Sequence, residues 1–236
     1  MDIIRLQEIV PFFKGTQDDL KRILQLASMD MSEFSQNDFE FLIHDMIERK
    51  YLSFHNYMDI RYEFSRLNPN VVYFELDNRV FNFAIKTYLN ASCKDLQKPS
   101  KKLDKDYNGE YDFWLNGIKI EVKASRVVDN QSNEPLYRKA LSKNTKRPFL
   151  MNFQQLKPQC CDVFVWLAVF SDEIVIWVMS SKEVQNHPDY SKGQHRGNKG
   201  NEGQLHIKET NISTLKKYKF TGKNLKTAIQ KAAKRN

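Results

Sequence analysis

Asp112, Glu121 and Lys123 are two acids and a lysine spaced for joint chemistry: eight residues separate the acids, and one apolar residue separates Glu121 from Lys123. Between the acids lies Asn116-Gly117. Asn-Gly between alternating apolar runs is the strongest short-range hairpin signal, because a two-residue type I′ turn needs positive φ at both central positions. With that turn, Leu115 faces Ile118, Trp114 faces Lys119, Phe113 faces Ile120, Asp112 faces Glu121 and Glu110 faces Lys123. Side chains alternate across a strand, so Tyr111, Phe113, Leu115, Ile118, Ile120 and Val122 make an apolar face, and Glu110, Asp112, Glu121 and Lys123 a polar one. Two acids directly opposite each other repel unless a cation lies between them. Their oxygens suit Mg²⁺, which takes one or two carboxylates together with waters and a phosphate oxygen. Such an ion would remove the repulsion and polarise a scissile phosphate. Lys123 would hold or help deprotonate the attacking water and stabilise charge in the transition state. The same residues also suit the solvated face of an ordinary hairpin, with Glu110 and Lys123 as a cross-strand ion pair.

The elements that must position these groups can be read from pattern. Residues 73 to 91 read as a helix, with Glu75 near its start and Asp77 behind it. After the hairpin, residues 126 to 148 form a long polar connection that includes Lys143 and Arg147; loops of this length are usually functional or mobile. "PFLMNFQQLKPQ" reads as a short helix. "CDVFVWLAVF" is a continuous apolar run of strand length, expected of a strand buried on both faces, and "EIVIWVMSS" pairs with it across the "SDE" turn. Residues 186 to 204 read as a long exposed loop carrying Lys192, His195, Arg196 and Lys199, and the chain ends in a basic helix. Upstream, "TQDDLKRILQLAS" and "SQNDFEFLIHDMIERKYL" read as helices and "YLSFHNYMDIRYEFSRL" as a short hairpin, an order similar to a winged helix. A boundary near Pro69 divides the chain into residues 1–68, a helical winged-helix-like module, and residues 69–236, a domain with a basic C-terminal tail.

The 236 residues carry a net charge of +8, which suggests a polyanionic partner. The charge is unevenly spread. Residues 1 to 68 hold eight Lys/Arg against twelve Asp/Glu, whereas residues 182 to 236 hold thirteen against four, so phosphate attraction is expected of the C-terminal part. No apolar run approaches the roughly 18 residues of a membrane span. The N-terminus lacks the pattern of a secretory signal, and Cys93, Cys160 and Cys161 are few and not spaced as metal ligands. A cytoplasmic protein with reduced thiols is expected. The scattered histidines do not form a metal spacing.

"YD…EVK" resembles the PD-(D/E)xK nuclease motif of type II restriction endonucleases and several repair and recombination nucleases, with Tyr111 in place of the family's proline. The resemblance implies an α/β fold: a mixed central sheet flanked by helices, in the order helix, hairpin, helix, buried strand. It implies Asp112 and Glu121 as metal-binding acids, Lys123 as the catalytic lysine, and Glu75 as a further acid from the preceding helix. Gln154 and Gln155 stand where some members place a polar residue near the scissile phosphate. The expected activity is Mg²⁺-dependent cleavage of double-stranded DNA at a specific sequence, by a homodimer and with a partner methyltransferase. Lys143, Arg147, Lys192, His195, Arg196 and Lys199 are the expected DNA contacts. Two rival readings are a repair or junction-resolving nuclease of the same chemistry and a non-enzymatic winged-helix regulator.

Overall fold

The computed structural model describes residues 18, 46–193 and 202–236. The chain divides into two compact units, Met1–Leu67 and Asn68–Asn236. In the first, the expected helix over residues 16 to 28 lies, Asp18 apart, outside the described residues, as does most of the next one. The expected two-stranded wing is instead one α-helix, α1, Phe54–Leu67. The reason is legible: Tyr57, Ile60, Phe64 and Leu67 recur at helical spacing, and no Gly or Pro interrupts the stretch to make a turn. Ser53 opens the helix, its Oγ accepting from the Asn56 N–H at 3.1 Å.

The second unit begins with α2 (Val72–Glu75) and α3 (Asn78–Ser92). The single expected helix breaks at Leu76, which is extended, because Asp77 caps α3: its carboxylate accepts from Arg79 N at 2.8 Å and Val80 N at 3.0 Å. Phe81, Ile85 and Leu89, one helical turn apart, give α3 its buried stripe.

Seven strands come next among the described residues: β1 (Phe113–Leu115), β2 (Ile118–Arg126), β3 (Leu150–Leu156), β4 (Val163–Val169), β5 (Ile174–Ser180), β6 (Tyr190–Lys192) and β7 (Gly203–Lys208). Two short helices, α4 (Ser181–Gln185) and α5 (Leu225–Ala233), complete the unit. The main sheet has the order β1-β2-β4-β5; β2 and β4 run parallel and the outer pairs antiparallel, so it is mixed. Every residue of β4 is buried, as its continuous apolar run demands. One face of this sheet (Ile120, Val122, Val163, Val165) packs on α3 and α5. The other (Phe164, Trp166, Trp177, Met179) packs on a second sheet of order β3-β7-β6. Thus α3 and α5 cover one face, and the second sheet, together with Val184 of α4, covers the other.

That second sheet revises two expectations. The segment expected as a helix before β4 is β3, because Met151, Phe153 and Leu156 turn inward while Asn152, Gln154 and Gln155 stay exposed. The extra residue before Leu156 makes a bulge, with Gln155 at φ 56°. The expected exposed loop over 186 to 204 begins and ends in the β6–β7 pair instead. Gly203 is required there: a Cβ would lie 2.3 Å from the Tyr190 ring. No helix among the described residues is long and apolar enough to cross a membrane.

Candidate active site

The hairpin forms on the expected turn. Asn116 and Gly117 have φ 50° and 92°, and the pairs Phe113–Ile120, Trp114–Lys119 and Leu115–Ile118 set its register. Beyond Phe113 the ladder departs from the regular pattern. Continued pairing would have Val122 donate to the Tyr111 carbonyl. Instead the Val122 N–H donates to Asp112 Oδ2 at 2.9 Å, and the Asp112 N–H donates to the Ile120 carbonyl. Tyr111 therefore leaves the apolar face shared by Phe113 and Leu115 and enters the opposite core, its hydroxyl donating to Asp104 at 3.0 Å. That corrects its expected side.

The polar face opens into a cleft of about 440 Å³ lined by Glu110, Asp112, Glu121 and Lys123 from the hairpin, with Asn108 and Gly109 before it. Gln155, Lys157 and Glu202 form the facing wall. Lys123 Nζ is 2.8 Å from Glu121 Oε1 on the same strand. Lys86, on α3, donates to Asp112 Oδ1. Each acid of the pair thus has one oxygen covered by its own lysine. The expected Glu110–Lys123 pair does not form: Lys157 Nζ lies 3.2 Å from Glu110 and 3.4 Å from Glu202, tying the hairpin to β7, and the Cys160 thiol also donates to Glu110.

Burial drives the electrostatics. The Glu121 carboxyl is pushed up to about 7, first by desolvation and further by Asp112, against the opposing pull of Lys123 and Lys86. Glu110, half-buried and bonded by Cys160 and Lys157, is held below the usual carboxylate range. The Cys160 thiol is pushed up to about 11 by burial and by Glu110. It is thus a protonated donor rather than a nucleophile.

The donor set fits a divalent cation of the Mg²⁺ kind. A buried carboxyl raised to about 7 beside a second carboxylate is a charge deficit that a dication offsets. Among the described residues, no group of three or more His, Cys, Asp or Glu could hold a metal ion. Asp112 and Glu121 would then be its protein ligands, with water or phosphate completing the shell, as Mg²⁺ prefers.

Other expected site residues lie elsewhere. Glu75 is exposed on α2 and does not line the cleft. Arg126 bonds the Tyr73 and Leu76 carbonyls beside it, and Arg126 is about 16 Å along β2 from Glu121. Lys143 pairs with Glu173 at the β4–β5 turn, and Arg147 lies 3.5 Å from Asp129; neither lines the cleft. Lys192 is exposed on β6, opposite Gly203 and so one residue from Glu202. His195, Arg196 and Lys199 lie outside the described residues. Of the two glutamines, Gln155 reaches the cleft and Gln154 does not.

Sequence reading missed Lys86, Lys157 and Glu202. Lys86 had a signal: it stands next to Ile85 of the buried stripe of α3, at the flank where a long side chain can reach past a packed neighbour. Lys157 and Glu202 had none, since only the pairing of the second sheet brings them to the hairpin. No family model, curated protein or solved structure matches this chain.

Proposed function

We propose that the protein is a Mg²⁺-dependent endonuclease that hydrolyses phosphodiester bonds of double-stranded DNA, acting as a type II restriction enzyme does. The observation that carries this reading is the convergence of Asp112, Glu121 and Lys123 in one open cleft, with Glu121 buried and raised to about 7. The order of the elements before the cleft and the basic C-terminal part agree with it.

A bound dication supplies charge neutralisation and polarisation of a phosphoryl oxygen. Asp112, anchored through Oδ2 to the β2 backbone, presents Oδ1 in a fixed direction. Glu121 presents its second oxygen while Lys123 holds the first. Lys123 orients a water for in-line attack on phosphorus, its ammonium offsetting the negative charge that develops as the water's proton passes to bulk solvent, from which the leaving 3′ oxygen takes one. The P–O bond to the 3′ carbon's oxygen breaks, leaving 5′-phosphate and 3′-hydroxyl ends. Gln155, whose positive φ directs it to the cleft wall, is placed to donate to a phosphate oxygen. Cutting both strands of a symmetric site is most simply done by a homodimer, and a companion methyltransferase would protect host DNA.

Plasmid DNA incubated with the protein and Mg²⁺, then with EDTA in parallel, tests the reading. Discrete, EDTA-sensitive fragments are expected. A smear or structure-selective nicking points to a repair nuclease of the same chemistry, and intact plasmid in both arms rejects the enzyme. The regulator reading loses its wing, since that segment is α1.

A further inference from the structure

Lys86 stands on α3, outside the hairpin, yet it binds the oxygen of Asp112 that is left after Val122 N–H has taken the other. It approaches from the solvent side, its side chain 40% exposed against 15% for Asp112. It also acts on Glu121, whose carboxyl it pulls down across the cleft. Lys123 lies on β2, two residues from Glu121, with a largely buried side chain, whereas Lys86 reaches Asp112 from another element on a long, more exposed stem. A monovalent cation on a long exposed stem, covering the free oxygen of an anchored carboxylate beside a buried second acid, occupies a position where a dication interacts more strongly.

We propose that Lys86 is an internal counter-ion of the acid pair, displaced from Asp112 Oδ1 when a divalent cation enters, and that it thereby sets the cation affinity of the site. The inference rests on the metal reading above and deepens it. Lys86 in this role is a positioning residue: it neutralises the acids in the cation-free protein and leaves when the site loads. Apparent affinity is reduced by the fraction of molecules competent to bind. If Lys86 covers Asp112 in about nine molecules of ten, removing it tightens binding about tenfold.

The experiment is calorimetric titration of the full-length protein with Mn²⁺, without DNA, for wild type, Lys86→Met, Lys86→Arg and Asp112→Asn, with melting curves for each. Lys86→Met is expected to bind Mn²⁺ about tenfold more tightly than wild type, Lys86→Arg no more tightly, and Asp112→Asn far more weakly. Lys86→Gln replaces the methionine variant if that one melts early. Saturable wild-type binding with Lys86→Met equal or weaker overturns this inference alone. Wild type that takes up no Mn²⁺, or Asp112→Asn that binds as wild type does, overturns the metal reading and this inference together.

Discussion

Among the residues that line the cleft, Glu121 is the one whose ionisation its surroundings change most. Its carboxyl, raised to about 7 by burial first and by Asp112 second, keeps in the folded protein a proton that an unfolded chain releases near 4.3. The folded state therefore binds more protons between those values, and stability without metal falls as pH rises from about 4.3 to about 7. The full difference is on the order of 3 kcal/mol. Glu121→Gln removes the titration. In EDTA its melting temperature should exceed that of wild type by several degrees at pH 8 and match it near pH 4. Parallel melting curves across pH 4–8 would refute the assignment.

For turnover, Asp112→Asn, Glu121→Gln and Lys123→Ala should each lower cleavage by at least about 100-fold while DNA binding persists, since each removes transition-state stabilisation rather than a binding contact. Single-turnover rates beside gel-shift affinities check this, and near-normal turnover in any one variant removes that residue from the chemistry. These three residues were legible from their types and spacing around the turn, whose register holds to the Phe113–Ile120 pair, whereas the departure at Asp112 was not legible. Lys86 had only the signal of its place beside the buried stripe of α3, and Lys157 and Glu202 had none, because no local rule links the end of β3 or β7 to the hairpin.

At the scale of elements, the two-residue turn is the part that sets geometry. Its register runs to the Phe113–Ile120 pair, and beside that pair Asp112 donates its N–H to the Ile120 carbonyl and accepts from the Val122 N–H. One residue inserted between Asn116 and Gly117 lengthens the turn and shifts or flips Asp112 relative to Glu121. Mg²⁺-dependent cutting should then fail in a protein that still melts cooperatively, whereas Asn116→Asp, which keeps a type I′ turn, should stay active. Equal cutting rates for the insertion variant and wild type would show that the turn does not govern the site.

Elsewhere the sequence spoke unevenly. The apolar run of β4 announced a strand buried on both faces, and the structure has one. For β3 the alternation of Met151 and Phe153 was present, but the bulge at Gln154-Gln155 interrupts it before Leu156, and the segment read as a helix. Residues 51 to 67 failed in the opposite direction: alternation at the start hid the longer helical period of Tyr57, Ile60, Phe64 and Leu67.

Across the whole molecule, the second sheet supplies the far wall of the cleft, and the chain leaves it and returns beside that wall. Gly193 N–H donates to the Glu202 carbonyl at 2.9 Å, and Glu202 lines the cleft. Gly193 and Glu202 thus stand together at the cleft, and His195, Arg196 and Lys199 fall between them in sequence, with Lys192 just before. Replacing these four by Ala should weaken DNA binding and lower the slope of log affinity against log salt by about one unit per lost phosphate contact. Fluorescence titrations at several salt concentrations measure that slope; an unchanged slope would show that the segment does not contact phosphate.

The parallel pairing of β2 with β4 also fixes an order of events in time. The hairpin closes on two residues, a microsecond event, but alone it is marginally stable. Pairing β2 with β4 closes a loop of about 40 residues, and bringing Glu202 to Glu121 closes one of about 80, so both wait on non-local contacts. During synthesis α3, Asp112 and Glu121 emerge before Gln155, Lys157 and Glu202, which complete the cleft. The nascent chain therefore carries Asp112 and Glu121 long before the facing wall exists, and the cleft is complete only once the segment that brings in Glu202 has folded.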